Sequence, residues 1–208
     1  MRQKNWIWDL DGTLFDSYGV IIRAVAEVTR EDGHPVTEDK ILKICKDDSI
    51  TVFFGGYTAE FGGTVEEKFN RYREISHTLQ DRIPLIPGAA ETLKALADAG
   101  GTHFVYTHRG ASSHEILSRL GIAGFFREVV TSEAGFTPKP SGEGVKYLLD
   151  RWGLDPESTW YVGDRQLDVL CGKDAGVRAA LYLPEGATVT PTGREDRIVR
   201  TLMELTEI

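Results

Sequence analysis

Two aspartates, Asp9 and Asp11, come directly after a short apolar run that ends at Trp8. Alternate residues of a strand point to the same side, so both carboxylates can face one ligand where the strand ends. Two like charges about 4 Å apart, at an effective dielectric of about 20, repel by roughly 4 kcal/mol, or about three pKa units. Such a pair must share a proton or hold a cation. The alternative is an ordinary turn, in which Asp, Gly and Thr are common.

Four further polar residues lie next to the predicted strands and helices. Thr107 and Asp164 follow apolar segments, Asp168 comes one helical turn after Asp164, and Lys139 stands just before a helix. Taken one at a time, Thr107 and Asp164 could be helix caps, and Asp168 and Lys139 could be solvent-exposed charges. In a parallel sheet, however, ligands bind outside the carboxyl ends of the strands. We therefore expect these residues to converge with Asp9 at one edge of a sheet.

The elements that must position these residues alternate between strand and helix. Short apolar segments predict strands over Asn5 to Trp8, Thr102 to Tyr106, Arg127 to Val130, Thr159 to Val162 and Val177 to Leu183. Helical spacing closed by glycine predicts helices over Ala89 to Ala99, Ser112 to Leu120, Glu143 to Trp152 and Leu167 to Ala175, and a last helical run covers Glu195 to Leu205. This alternation predicts an α/β fold, a Rossmann-like parallel sheet with helices on both faces.

One stretch, residues 16–84, breaks the alternation. Helix-like spacing covers Tyr18 to Arg30, Glu38 to Lys46, Ile50 to Phe54 and Val65 to Leu79, with no convincing strand. The pairs Gly55-Gly56 and Gly62-Gly63 indicate bends. We therefore predict a catalytic α/β core over residues 1–15 and 85–208, and an inserted all-helical domain over residues 16–84.

Composition limits the possible partners and location. A net charge of −8 argues against nucleic-acid binding through a basic surface. No run approaches the roughly 18 to 20 apolar residues that span a bilayer, and the N-terminus does not look like a signal peptide. Two distant cysteines, Cys45 and Cys171, fit a reducing compartment. We expect a cytoplasmic protein that binds neither membrane nor nucleic acid, and a monomer by default.

The chain resembles the haloacid dehalogenase superfamily of phosphotransferases, in the branch similar to phosphoglycolate phosphatases. Four motifs carry the resemblance, in order: Asp9-Leu10-Asp11-Gly12-Thr13, Thr107, Lys139-Pro140 and Gly163-Asp164-Arg165-Gln166-Leu167-Asp168. The resemblance implies that Asp9 is the nucleophile and Asp11 the general acid and base, assisted by Thr107 and Lys139. It further implies a Mg²⁺ site made by Asp9, the Asp11 carbonyl and Asp164, with Asp168 just outside these ligands. The segment 16–84 looks like the family's helical cap, which closes over the site.

These expectations predict a Mg²⁺-dependent phosphatase that hydrolyses a small phosphorylated metabolite, a phosphomonoester, through an aspartyl phosphate. A phosphomutase similar to the β-phosphoglucomutases is one alternative. A non-catalytic relative that binds a metal or a partner is another. The presence of Asp11 disfavours halide removal, because the dehalogenases of the superfamily lack an aspartate there.

Three further residues are candidates for substrate binding. Thr107 is followed by His108 and Arg109, where relatives more often carry Ser-Asn, and both larger side chains could contact substrate. A solvated loop beside the site is the alternative. Lys46 stands in a segment similar to the specificity loop of β-phosphoglucomutases, although an exposed helix end would carry the same charges.

Overall fold

The computed structural model describes residues 3–208, which contain six β-strands and eight α-helices. The strands are β1 (Asn5–Trp8), β2 (Thr102–Tyr106), β3 (Phe126–Val130), β4 (Thr159–Gly163), β5 (Arg178–Tyr182) and β6 (Arg197–Val199). The helices are α1 (Tyr18–Glu31), α2 (Glu38–Asp47), α3 (Ile50–Phe61), α4 (Val65–Leu79), α5 (Ala89–Asp98), α6 (Ser112–Arg119), α7 (Glu143–Trp152) and α8 (Gln166–Asp174). The five predicted strands are present, with small shifts in the bounds of three of them.

The six strands form one parallel sheet in the order β3-β2-β1-β4-β5-β6. The first strand of the chain lies near the middle, where Trp8 is paired with Val105 of β2 and Val162 of β4. Parallel strands end at the same edge of a sheet. The residues that follow β1, β2 and β4 are therefore neighbours, although they are far apart in the sequence.

Both faces of the sheet are covered. All four residues of β1 are buried, although their side chains alternate between the two faces. On one face, Ile7 and Phe104 pack against Val145 of α7 and Cys171 of α8. The fold is therefore the α/β, Rossmann-like arrangement that the sequence predicts.

The chain divides into two compact units, and the boundaries fall after Asp16 and before Leu85. The sheet belongs to the first unit. The second, Ser17–Pro84, contains α1 to α4, and α1 packs against both α2 and α4. Its apolar core includes Val25, Ile41 and Phe54. Helix α4 begins with a capping box in which the Thr64 hydroxyl accepts the Glu67 N–H and the Glu67 carboxylate accepts the Thr64 N–H.

Two local predictions are wrong. The helix expected over Glu195 to Leu205 is instead strand β6 followed by a 3-10 turn over Leu202–Glu207. Pairing with β5 overrides the helical spacing, and Val199 is buried in that pairing. The bend expected at Gly55-Gly56 is not formed, because both glycines lie inside α3. The buried aromatic residues of that helix offset the poor helix propensity of glycine. Gly62 and Gly63 do make a bend, with φ of 89° and 83°.

The positions of the two cysteines and the character of the helices can be compared with the sequence analysis. Cys45 is buried in the helical unit and Cys171 in the sheet unit. Within residues 3–208, no helix combines the length and the apolar character that crossing a membrane requires.

Candidate active site

Each of three adjacent strands is followed by a residue that the sequence predicts to be part of the site. Asp9 follows β1, Thr107 follows β2, and Asp164 follows β4. All three are buried, with exposed fractions of 1%, 1% and 2%. Burial of two carboxylates at one edge is costly unless cations or hydrogen bonds offset it. This edge of the sheet therefore requires cations or hydrogen-bond donors close to the two carboxylates.

The turn after β1 is held by the Leu10 carbonyl, which accepts the N–H groups of both Leu14 and Phe15 at 2.9 and 2.8 Å. Gly12 has φ of 80°, a left-handed conformation that residues other than glycine rarely adopt. The chain therefore reverses directly after Asp11. This fixes Asp9 and Asp11 relative to the strand.

Lys139 is buried between two carboxylates. Its Nζ donates to Asp9 Oδ1 and to Asp168 Oδ1, both at 2.7 Å. Burial alone would lower the pKa of Lys139, but Asp168 and Asp9 outweigh it and raise the pKa above its usual value. The lysine therefore stays charged, and the predicted convergence of Lys139 with Asp9 is present in the geometry.

Asp168 holds Lys139 in place from the start of α8. Its Oδ1 binds the ammonium, while its Oδ2 accepts the Arg165 N–H at 3.1 Å. Burial alone would raise the pKa of Asp168, but Lys139 and Arg165 together keep it below its usual value. A Cβ at Gly163 would lie 2.2 Å from the Asp168 Cβ, so only glycine allows this close approach.

The Asp9 carboxylate has two different environments. Oδ1 binds Lys139, whereas Oδ2 is buried and has no hydrogen-bond partner within residues 3–208. Burial raises the pKa of Asp9 to about 6, against the opposing attraction of Lys139. Asp9 is therefore mainly ionised at neutral pH. A buried carboxylate oxygen without a partner is costly, which is typical of a group that binds a ligand or a metal.

Three buried carboxylates at this edge have the spacing of a candidate metal site. Asp9, Asp164 and Asp168 each offer a carboxylate oxygen, and these atoms lie within 4.8 Å of one another. Both oxygens of Asp168 already accept hydrogen bonds, so Asp9 and Asp164 are the better ligands. The side chain of Asp11 is not part of this group. Oxygen ligands of this kind suit Mg²⁺.

The Asp11 carboxylate is paired with Arg109. The Arg109 Nε donates to Oδ1 and Oδ2 at 3.0 and 3.1 Å, and Nη2 donates to Oδ1 at 2.7 Å. The Arg109 side chain is only 7% exposed, and that of Asp11 is 22% exposed. Arg109 therefore contacts a predicted catalytic residue, and the alternative of a solvated loop does not describe it.

His108 faces the loop that carries Lys139. Its Nε2 accepts the Lys139 backbone N–H at 2.9 Å. Burial lowers the pKa of His108 to about 3, and Lys139 and Arg165 add to this effect. The ring is therefore neutral at physiological pH. Its observed contact holds the Lys139 loop, and contact with substrate stays a prediction.

Thr107 and Lys46 are the remaining residues that the sequence predicts to be part of the site. The Thr107 Oγ1 accepts the Arg109 backbone N–H at 3.2 Å, which leaves its own hydrogen to donate. Lys46 lies in the last turn of α2, in the helical unit, with its Nζ 4.0 Å from the centre of the Tyr18 ring. This cation–π contact accounts for its position, and a role in substrate binding stays a prediction.

Arg165 belongs to the motif Gly163–Asp168, but the sequence predicts no role for it. This residue is only 8% exposed, and it follows Asp164 directly. It donates its backbone N–H to Asp168 and is among the charges that lower the pKa of that carboxyl. Its position next to Asp164, a predicted site residue, is the feature of the sequence that points to a role in the site. Its burial could not be read from the sequence.

Known proteins share this fold and up to about a third of the aligned residues. The sequence model of the haloacid dehalogenase-like hydrolase family matches residues 6–182. The phosphoglycolate phosphatase of Aquifex aeolicus is 31% identical over 185 residues, covering 85% of this chain and 83% of the relative. Pyrophosphatase PpaX of Bacillus velezensis is 29% identical over 215 residues, covering 97% and 94%. The structure of CbbY from Rhodobacter sphaeroides has a TM-score of 0.84 at 19% identity, covering 98% and 96%, which is a likeness of fold.

The Rossmann-like sheet, its acidic edge and the phosphoglycolate phosphatase relative together define a phosphoric monoester hydrolase. The chain belongs to the haloacid dehalogenase-like hydrolase family. The resemblance found in the sequence motifs is thereby confirmed, as is the class of enzyme.

Proposed function

We propose that the protein is a Mg²⁺-dependent phosphatase that hydrolyses a small phosphomonoester through an aspartyl phosphate on Asp9. The observation that carries the proposal is the Asp9 carboxylate. One of its oxygens is held by Lys139, and the other is buried without a hydrogen-bond partner in residues 3–208. A nucleophilic carboxylate needs this combination of a fixed position and lone pairs that no hydrogen bond occupies.

In the first half-reaction, Asp9 attacks the phosphorus while Asp11 protonates the oxygen that leaves. Lys139 and the Thr107 hydroxyl stabilise the phosphoryl oxygens. In the second half-reaction, Asp11 takes a proton from the water that attacks the aspartyl phosphate. Asp168 contributes by holding the Lys139 ammonium against Asp9.

The charges of the site support a divalent cation. Four carboxylates lie close to three cations, so one negative charge is in excess before a phosphate arrives. These groups are Asp9, Asp11, Asp164 and Asp168, with Arg109, Lys139 and Arg165. We propose that Asp9, Asp164 and the main-chain carbonyl of Asp11 hold Mg²⁺. The ion would supply positive charge to the phosphoryl oxygens.

The helical unit, Ser17–Pro84, is proposed to serve as the cap. It is inserted between the β1 turn and α5, so it is covalently attached next to Asp9 and Asp11. Lys46 is the residue of this unit that we propose for substrate binding. A cytoplasmic location stays a prediction of the sequence.

A panel of small phosphate compounds tests the proposed function. The names of relatives make 2-phosphoglycolate and pyrophosphate natural members, and p-nitrophenyl phosphate is a general probe. We expect Mg²⁺-dependent release of phosphate from at least one of them. Release of no phosphate would favour a non-catalytic relative. Transfer of the phosphoryl group to a sugar instead of water would favour a phosphomutase.

The metal proposal predicts the effect of Asp164→Asn. Replacing a carboxylate ligand by an amide removes a charge, so we expect the Mg²⁺ concentration for half-activation to rise by about tenfold or more. Calorimetry with Mg²⁺ gives an independent measure of the same loss. Asp98→Asn, on the exposed face of α5, is the matched control and should leave Mg²⁺ binding unchanged. Full activity of the native protein in excess chelator would contradict metal dependence.

The role of Asp11 predicts different behaviour with good and poor leaving groups. With an alkyl phosphate, Asp11→Asn should lower kcat by about 10² to 10⁴, because the leaving oxygen is no longer protonated. With p-nitrophenyl phosphate, whose leaving group needs no acid, we expect a burst of about one nitrophenolate per enzyme followed by a slow phase. Stopped-flow absorbance measures both phases. Native rates with the alkyl ester would assign Asp11 a purely structural role.

A further inference from the structure

We propose that Arg109 binds an anionic group in the leaving portion of the substrate. This group is a carboxylate or a phosphate whose oxygens lie two or three bonds from the oxygen that departs. The inference rests on the proposed function, because it takes Asp11 as the residue that protonates the leaving oxygen. It names the class of substrate that the site prefers.

The pairing of Arg109 with Asp11 places the positive charge. Three N–H···O contacts of 2.7 to 3.1 Å fix the plane of the guanidinium against the carboxylate. A general acid lies about 2.6–3.2 Å from the oxygen that it protonates. The Arg109 Nε contacts both oxygens of Asp11, so it lies within about 6 Å of the leaving oxygen whichever of them carries the proton. An anionic oxygen two or three bonds further along the leaving group falls within reach of this cation.

Arg109 is already ordered for this task. Its backbone N–H donates to Thr107 Oγ1 at 3.2 Å, and its carbonyl accepts the Ser132 N–H at 3.2 Å. Its Nη1 lies 3.4 Å from Ser112 Oγ at the start of α6. A side chain that is fixed before the substrate arrives loses little conformational entropy on binding. The planar fork of arginine also matches the geometry of a carboxylate or a phosphate.

A second role would give the same contacts. Arg109 could act only as a positioning residue that orients the Asp11 carboxylate. In that case its loss would slow every substrate whose leaving group needs a proton, whether or not that group carries charge. If Arg109 binds the substrate anion, the loss depends on the charge of the leaving group. A pair of esters that differ only in this charge separates the two roles.

The experiment compares 2-phosphoglycolate with its amide, 2-phosphoglycolamide, which has the same size and a neutral leaving group. We expect native protein to prefer the anion in kcat/KM. Arg109→Gln should lower this preference about ten- to a hundredfold. Arg109→Lys, which keeps the charge and loses the fork, should restore part of it. Arg119→Gln removes an exposed arginine from α6, the helix that follows Arg109, and should preserve the preference. Thermal unfolding checks that each variant is folded.

A binding measurement tests the inference without turnover. In protein carrying Asp9→Asn, calorimetry gives the Kd of each ester, and pyrophosphate serves as a probe with a second phosphate. Addition of Arg109→Gln should weaken binding of 2-phosphoglycolate and pyrophosphate about tenfold or more relative to the amide. Equal losses for all three ligands, or no loss for any, would overturn the inference. Native protein that hydrolyses none of these compounds but shows this charge-dependent binding would overturn the proposed function alone.

Discussion

Asp9→Asn is expected to abolish turnover, with kcat reduced by roughly 10⁴-fold or more. The amide keeps the shape of the side chain and can still accept a hydrogen bond from Lys139, but it cannot form an acyl phosphate. The Lys139 ammonium also keeps its bond to Asp168 at 2.7 Å, so the fold should survive. Steady-state phosphate release measures the loss, and circular dichroism confirms that the variant is folded.

A matched control comes from Asp150→Asn on α7, which removes a carboxylate that is exposed to solvent. This variant should keep native rates. Brief incubation of native protein with substrate, followed by acid quenching and mass spectrometry, should show a phosphorylated peptide that contains Asp9. The same peptide from Asp9→Asn should be unmodified. Native rates in Asp9→Asn would refute the assigned nucleophile.

Lys139→Met is expected to reduce both activity and stability. The substitution leaves Asp9 and Asp168 buried without the cation that both of them bind. Breaking a buried ion pair by removal of one partner costs about 3–5 kcal/mol in the free energy of unfolding. Urea denaturation at pH 7.5, with chelator present, measures this cost. Phosphate release should fall as well, because Lys139 no longer offsets the charge of the incoming phosphate.

The cost of Lys139→Met should depend on pH. Burial already raises the pKa of Asp9 to about 6, so the stability linked to its protonation is present at low pH and lost as pH rises through about 6. Without Lys139 the pKa rises further, and Asp168 no longer has the partner that lowered its own pKa. The deficit relative to native protein should therefore be smaller at pH 5 than at pH 8.

The surface variant Lys146→Met provides the comparison. Lys146 forms an exposed ion pair with Asp174 at 2.9 Å, and such pairs contribute about 0–1 kcal/mol. Its loss should change the free energy of unfolding by no more than that amount. If Lys139→Met were equally mild, the buried carboxylates would have to be stabilised by other groups.

Local patterns predicted most of the sheet. Strand β1 was readable because an apolar run stops at a pair of aspartates, and β2 because it lies between glycines and a polar loop. Strand β6 was not readable, since Arg197 and Ile198 are exposed and its identity comes from pairing with β5. Edge strands of three residues leave little periodicity in a sequence.

Part of the site could likewise be predicted from the sequence, and part of it could not. The edge rule for parallel sheets predicts from the sequence that Asp9, Thr107 and Asp164 lie together. The pairing of Arg109 with Asp11 joins residues 98 positions apart, and it depends on side-chain rotamers. The contact of His108 with the Lys139 backbone has the same character. Such contacts are set by tertiary packing, which residue types and spacing do not encode locally.

The central position of β1 affects how the protein is made. This strand leaves the ribosome long before its two neighbours, β2 and β4, which begin at Thr102 and Thr159. Until both have been synthesised, an apolar strand with two tryptophans has unpaired edges, a state that favours aggregation. Asp9, the proposed nucleophile at the end of that strand, meets Lys139 and Asp164 only after residues up to Asp164 have emerged. Nascent chains that stop before β4 therefore carry Asp9 but lack an assembled site.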